Sequence, residues 1–334
     1  MIAEVIRKAV DGVDLSSEEA NAAMSEIMSG EASPVQIAAF LVAMRTKGET
    51  VEEVTEFARV MREHVRPVKP TRRPVVDTCG TGGDAIKTFN VSTAAAFVAA
   101  GAGVAVAKHG NRSVTSKCGS ADVLEALGVR FDLSPEECAR CIDEIGLGFM
   151  FAPSYHPAMK HAGPVRRELG IRTVFNMLGP LTNPAAAEAQ VLGVYAPALT
   201  EIHARVLRNL GSRRAFVVHG EGGLDEISSF GVTRITELRD GELTTYDIVP
   251  DDVGLPRGAD AEPVRGGTPE ENARRLVGIL EGDEGPARDI VILNAAAAIA
   301  AGGLAVTLSE AVQIAAESVD SGKALAKLQE LQGF

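Results

Sequence analysis

Val75-Val-Asp-Thr-Cys-Gly80-Thr-Gly-Gly-Asp84, followed by Asn90-Val-Ser-Thr-Ala-Ala-Ala-Phe-Val-Ala-Ala100 and Val104-Ala-Val-Ala107, is the stretch that decides the fold. Val75-Val76-Asp77 reads as a short strand. Asn90 to Ala100 is alanine-rich and too long for a buried strand, so it reads as a helix. Val104 to Ala107 is a second strand, and two strands joined through a helix lie parallel. The same alternation runs on through a helix from Ser120 to Leu127, a capped start at Ser134-Pro135-Glu136-Glu137, and a buried strand Phe149-Met-Phe-Ala152. Strands at Ala189–Tyr195 and Ala215–Val218 flank a helix from Glu201 to Leu210. Asp240-Gly241, between Ile235 and Ile248, marks a hairpin. The C-terminal third is mostly helical, with start signals at Thr268-Pro269-x-Glu271 and Thr307-x-x-Glu310. The class is therefore α/β, with a mainly parallel central sheet covered on both faces. Ligands of such sheets sit at the carboxyl ends of the strands.

Residues 1–66 are different. They read as four short helices with no strand. Ile2, Val5, Ile6 and Ala9 share a face, and Ser16-x-x-Glu19, Ser33-Pro34-x-Gln36 and Thr50-x-x-Glu53 open the next three. Three prolines between Arg66 and Pro74 make an extended linker or hinge. The expected organisation is a small all-helical domain over residues 1–70 and a large α/β domain over 71–334.

Composition narrows the function. The chain has 334 residues, 46% of them hydrophobic and 23% charged, as in an ordinary globular protein. A net charge of -12 and the absence of Trp argue against a nucleic-acid partner. The longest apolar run, Ala94 to Ala107, is broken by Gly101 and Gly103 and is too short to span a bilayer. Glu4 and Asp11 interrupt the first apolar pattern, so it does not read as a signal peptide. Four cysteines suit a reducing compartment, and a cytoplasmic location is expected. Cys138 and Cys141 match CxxC, but they fall with Ile142 and Ile145 on one helix face and read as core thiols.

Five stretches carry candidate chemistry. Asp77 to Asp84 packs three glycines behind a strand, which suits an anion nest or an ordinary tight turn. Asn90-Val91-Ser92-Thr93 opens a helix, where an N-cap residue and a phosphate site can coincide. Lys108-His-Gly-Asn-Arg-Ser-Val-Thr-Ser116 follows a strand and reads as an anion-binding or a solvated loop, and His109 alone could be a plain hydrogen-bond donor. Asp225-Glu226, in a glycine-rich loop, suits Mg²⁺ or a solvated turn. His156 is followed by Arg166 and Arg167 on a helix. There an Arg beside an apolar pocket can grip a carboxylate, although such a basic pair usually lies on the surface.

In this order, the five stretches resemble the anthranilate phosphoribosyltransferase family over essentially the whole chain. Gly80-Thr-Gly-Gly-Asp84, Lys108-His-Gly-Asn-Arg112 and Leu224-Asp-Glu-Ile227 are specific together, and Arg172-Thr-Val-Phe-Asn-Met-Leu-Gly-Pro-Leu-Thr-Asn183 adds to the likeness. Gly222, where relatives often carry Asp, and Gly163, in place of a bulkier residue, are small departures. The resemblance implies a nucleoside phosphorylase/phosphoribosyltransferase-like fold and a homodimer made through the helical domain. It also implies transfer of the ribose 5-phosphate of phosphoribosyl pyrophosphate (PRPP) to the amine of anthranilate, in tryptophan biosynthesis. On this likeness PRPP should meet Gly80, Gly83, Asp84, Thr88, Asn90, Val91, Ser92, Thr93, Lys108, His109, Gly110, Asn111, Arg112, Ser113, Val114, Thr115, Ser116 and Ser120. Anthranilate should meet Gly80, Asn111, His156 and Arg166, and Mg²⁺ should meet Ser92, Asp225 and Glu226. A nucleoside phosphorylase and a non-catalytic nucleic-acid-binding relative are the alternatives. The first would not need a carboxylate pair beside a pyrophosphate cradle. The second should lose the glycine loop and gain a basic face.

Overall fold

The computed structural model describes residues 1–113 and 117–334. Four helices come first: α1 (Ile2–Val10), α2 (Ser17–Ser29), α3 (Pro34–Lys47) and α4 (Val51–Glu63). Then follow β1 (Val75–Gly80), α5 (Val91–Gly101), β2 (Ala105–Gly110), α6 (Ser120–Ala126), α7 (Pro135–Glu144) and β3 (Leu147–Phe151). The short α8 (Ala152–Tyr155), α9 (Met159–Leu169) and α10 (Phe175–Leu178) lead to β4 (Ala189–Gly193), α11 (Leu199–Asn209) and β5 (Arg214–Gly220). The hairpin β6 (Thr233–Arg239) and β7 (Glu242–Ile248) precedes α12 (Pro269–Leu280), α13 (Pro286–Ala301), α14 (Leu308–Asp320) and α15 (Lys323–Gln332). The expected starts at Ser16, Ser33, Thr50, Ser134, Thr268 and Thr307 all form reciprocal capping boxes with the Glu or Gln three residues on. Asp240 and Gly241 both take positive φ, as a two-residue hairpin turn requires.

The sheet order is β3-β2-β1-β4-β5-β6-β7. The first five strands are parallel and the last two are antiparallel additions at one edge. Chain direction across the sheet reverses between β1 and β4, so the crevice beyond their carboxyl ends is the topological switch point. β1, β2, β4 and β5 end in Gly80, Gly110, Gly193 and Gly220, which clears side chains from that edge.

Two strands run further than the sequence indicates. β1 continues through Thr78, Cys79 and Gly80 because β4 supplies a ladder as far as Gly193. β2 continues through Lys108, His109 and Gly110, paired with Phe149, Met150 and Phe151. Residues expected in a loop are thus strand residues, and their side chains go to opposite faces of the sheet. Conversely, Ala152 opens a helix instead of closing a strand, and β4 stops before Tyr195.

The apolar core lies in two bodies, one on each face. Alternation sends Val191, Phe216 and Val218 to one face, with α5 and α13, and Leu192, Ala215 and Val217 to the other. The second body also contains Met24, Phe40 and Phe57 of the helical domain and Val165, Phe175 and Leu178 of α9 and α10. By packing, α9 and α10 therefore belong with the N-terminal helices. Cys138 and Cys141 are buried, with their thiols directed at the Phe149 and Leu147 carbonyls, as core residues.

Candidate active site

The site is built at the switch point. Asp225 lies in the loop after β5, and its seat depends on two glycine strand ends. A Cβ on Gly193 would fall 1.6 Å from the Asp225 carbonyl oxygen, and one on Gly80 would fall 2.6 Å from Asp225 Oδ2. The Asp225 carboxylate accepts the Gly82 N–H at 3.2 Å. Burial, then the neighbouring Asp84, pushes its pKa up to about 6. Glu226 is pushed well above the usual carboxylate range by burial and then by Asp225, while Lys108 and the Ser92 N–H pull it back. Two crowded carboxylates whose charged forms burial disfavours are groups that a bound cation would favour in their ionised state. Hard oxygen donors from two carboxylates and the Ser92 hydroxyl fit Mg²⁺, which keeps its other positions for water and phosphate oxygens. Among the described residues no group of three or more His, Cys, Asp or Glu side chains converges to enclose a metal alone.

Lys108 forms the floor. Its Nζ donates to the Thr78 carbonyl and to Ser92 Oγ at 3.2 Å. Burial lowers its pKa, and Asp77, Cys79 and Glu226 oppose that shift. Asp77 was not among the expected ligands. It is fully buried and accepts the His109 N–H at 3.0 Å. A carboxylate inside an apolar central strand was the available signal for it.

The glycine loop has the character of a nest. Thr81 N–H goes to Gly193 O, Gly82 N–H to Asp225, and Ala85 N–H to Gly223 O. The N–H groups of Gly83 and Asp84 have no acceptor among the described residues. The Asp84 carboxylate is spent on the loop itself, accepting from Ile86 N–H, Thr88 N–H and Thr88 Oγ1. Asn90 stands at the N-cap position of α5, but its side chain does not cap. Instead it accepts from Asn272 Nδ2 at 3.0 Å and bonds Cys118, because α12 packs against this end. Val91 and Thr93 are buried, and Thr93 Oγ1 is unpartnered among the described residues.

Beyond β2, Ser120 Oγ bonds both the Asn111 N–H and its carbonyl. Arg112 reaches Asp122 and Glu125 on α6, and the Ser113 N–H also goes to Asp122. The strand end therefore folds back on α6, with Gly110 close under Ser120. Val114, Thr115 and Ser116 lie outside the described residues.

On the other face, His109 and His156 meet Nε2 to Nε2 at 3.1 Å, with ring centroids 4.9 Å apart. Burial first, then His156, depresses His109 to about 3, against a bond to the Gly179 carbonyl; burial alone depresses His156 to about 4. Both rings are neutral at pH 7. If His109 donates to Gly179, its Nε2 accepts from His156. Arg166 is half-buried over the Phe175 ring at 5.1 Å, whereas Arg167 is exposed. Helix geometry allowed only one of the pair to face inward, and packing on Phe175 selects Arg166.

Fold and site define a two-domain transferase. A family described as "Glycosyl transferase family, helical bundle domain" matches residues 3–65, and "Glycosyl transferase family, a/b domain" matches residues 72–325. The chain is 58% identical to the anthranilate phosphoribosyltransferase of Symbiobacterium thermophilum, over 99% of this chain and 96% of that one. It is 56% identical to that of Methanocorpusculum labreanum, over 99% and 97%. The crystal structure of the Thermus thermophilus enzyme superposes with a TM-score of 0.93 at 48% identity, covering 98% of each chain. The Saccharomyces cerevisiae enzyme in complex with PRPP and Mg gives a TM-score of 0.90 at 30% identity, covering 99% and 97%. The chain belongs to the anthranilate phosphoribosyltransferase family, and it is an enzyme, a pentosyltransferase.

Proposed function

We propose that this chain joins the 5-phosphoribosyl group of PRPP to the anthranilate amine in tryptophan biosynthesis, releasing pyrophosphate, with Mg²⁺ held by Asp225, Glu226 and Ser92. The observation that carries this reading is the convergence of both carboxylates, Lys108 and Ser92 on the switch point, beside two loop N–H groups with no acceptor among the described residues. A nucleoside phosphorylase would not require that carboxylate pair. The test is direct: purified protein with PRPP, Mg²⁺ and anthranilate should consume anthranilate and release pyrophosphate one for one. A nucleoside with phosphate should give no turnover.

Loss of pyrophosphate from the anomeric carbon passes through an oxocarbenium-like state, as in glycoside cleavage. When bound, Mg²⁺ supplies charge stabilisation to the departing oxygens. Lys108 and the Gly83 and Asp84 N–H groups, which have no acceptor among the described residues, add fixed donors to the same developing charge. The aryl amine is neutral at pH 7, so orientation matters more than a strong base. His109 and His156, both neutral, form a polar wall. Arg166, its guanidinium carbon 5.1 Å from the Phe175 ring centroid, offers the anthranilate carboxylate a planar fork.

Arg166→Ala should raise the Michaelis constant for anthranilate by about ten- to a hundredfold, the worth of one charge-assisted hydrogen bond. The constant for PRPP should move less than about threefold on the same scale. Arg167→Ala should change neither. Steady-state kinetics with each substrate varied checks both, and an anthranilate-selective loss in Arg167→Ala would reverse the assignment.

A homodimer through the helical domain completes the reading. Val10 on α1 and Val42 on α3 are 70% and 41% exposed beside a groove of about 380 Å³ between the two helices. A second copy would cover that apolar face. Light scattering should give twice the chain mass, and Val42→Glu should give the monomer. A monomeric wild type would refute the dimer. A cytoplasmic location fits four cysteines that are all free thiols. No helix among the described residues is long and apolar enough to cross a membrane.

A further inference from the structure

Arg172 is the one charged residue in the Arg172–Asn183 stretch that contributes to the family likeness. It lies between α9 and α10, on the connection that packs with the N-terminal helices. Val174 and Phe175, shortly after it, are buried in that body, and the Thr173 N–H is held by Asn176 Oδ1 at 2.9 Å. From this anchored base the guanidinium crosses to the glycine loop. Nη2 donates to the Gly83 carbonyl at 3.1 Å, and the guanidinium carbon lies over Tyr195, 4.1 Å from the ring centroid. Tyr195 follows the end of β4. One side chain thus ties together the loop after β1, the exit of β4 and the helical body.

The geometry points to Arg172 as the positioning residue of the phosphate nest, an inference that rests on the transfer reading above. A peptide group is planar and trans, so fixing the Gly83 carbonyl toward Arg172 turns the Asp84 N–H the opposite way. The Asp84 N–H is one of the two loop N–H groups without an acceptor among the described residues. Left unheld, the Gly83–Asp84 peptide could flip and present its carbonyl oxygen to an incoming phosphate, which would repel it. Gly83 is built for this contact: its φ is +86°, and a Cβ there would fall 2.1 Å from Arg172 Nη2. Tyr195 holds the guanidinium through its ring face, so the orientation of the donor matters as well as its charge.

The test uses the full-length protein with Mg²⁺. Arg172→Ala should raise the Michaelis constant for PRPP about tenfold or more, the scale of one lost oriented hydrogen bond, and leave the constant for anthranilate and the melting temperature near wild type. Arg172→Lys should resemble Arg172→Ala, because a lysine keeps the charge but cannot stack as a plane. Tyr195→Leu should reproduce part of the loss and Tyr195→Phe none. The Arg172→Ala, Tyr195→Leu double variant should be no worse than Arg172→Ala alone, since both remove one device. A wild-type PRPP constant in Arg172→Lys would mean that charge alone is used and would overturn the inference. So would equal losses for both substrates in Arg172→Ala, or multiplying losses in the double variant. Wild-type turnover in the same assay separates the two levels: its absence refutes the transfer reading, and its presence with an unaffected Arg172→Ala refutes only the role of Arg172.

Discussion

Asp225→Asn combined with Glu226→Gln should lower kcat/KM by about a thousandfold or more, roughly the 4 kcal/mol that a metal clamp on a departing pyrophosphate supplies. The same double variant should melt at or above the wild-type temperature when Mg²⁺ is absent. The two halves of this expectation have one cause. Asp225 and Glu226 both have pKa values raised by burial and by neighbouring carboxylates, so the folded protein disfavours their charged forms. A group whose folded pKa lies above its unfolded one weakens the fold at pH values above both, and that penalty fades as pH falls through the folded value. Near pH 8 the neutral isosteres remove the penalty and keep the shape, and the amide oxygen introduced by Asp225→Asn can still accept the Gly82 N–H. Activity against Mg²⁺ concentration and a thermal melt at pH 8 check both parts. Unchanged metal dependence would place the Mg²⁺ elsewhere, and a melt many degrees lower would show that the carboxylates hold the loop.

Gly83→Val is expected to weaken PRPP binding by about a hundredfold. A left-handed backbone costs an L-residue roughly 1–2 kcal/mol, and a β-branched one more. At Gly83 the new side chain also displaces Arg172, whose Nη2 lies 2.1 Å from the Cβ position. Gly82 is the control. Its φ is +69° but nothing lies within 4 Å of its Cβ position, so Gly82→Ala bears only the backbone cost. Its loss should be about tenfold, corresponding to about 1.4 kcal/mol. Titration calorimetry with PRPP and Mg²⁺ ranks the two. Equal affinity in Gly83→Val and wild type would make the loop an ordinary turn with no part in binding.

Local signals account for much of what the chain displays. Six capping boxes, the Asp240-Gly241 hairpin and the apolar face of Cys138 and Cys141 depend on residues within a few positions of one another, and each forms as its spacing indicates. The parallel sheet was legible for the same reason, because strand-helix alternation admits few arrangements. The motifs that marked the glycine loop, Lys108 and Asp225-Glu226 were also contiguous. What the sequence could not show depends on contacts distant along the chain. β1 and β2 run on because β4 and β3 offer ladder partners, and this turns Lys108 and His109 to opposite faces. Asn90 leaves its cap because Asn272, far along the chain, takes its side chain. Arg166 rather than Arg167 turns inward because Phe175 lies there, and α9 and α10 join the helical body because they pack directly on α2, α3 and α4. A residue's neighbours along the chain set its backbone preference. Where its side chain ends is set by whichever distant group fills the space and satisfies its polar atoms, and only the folded packing decides that.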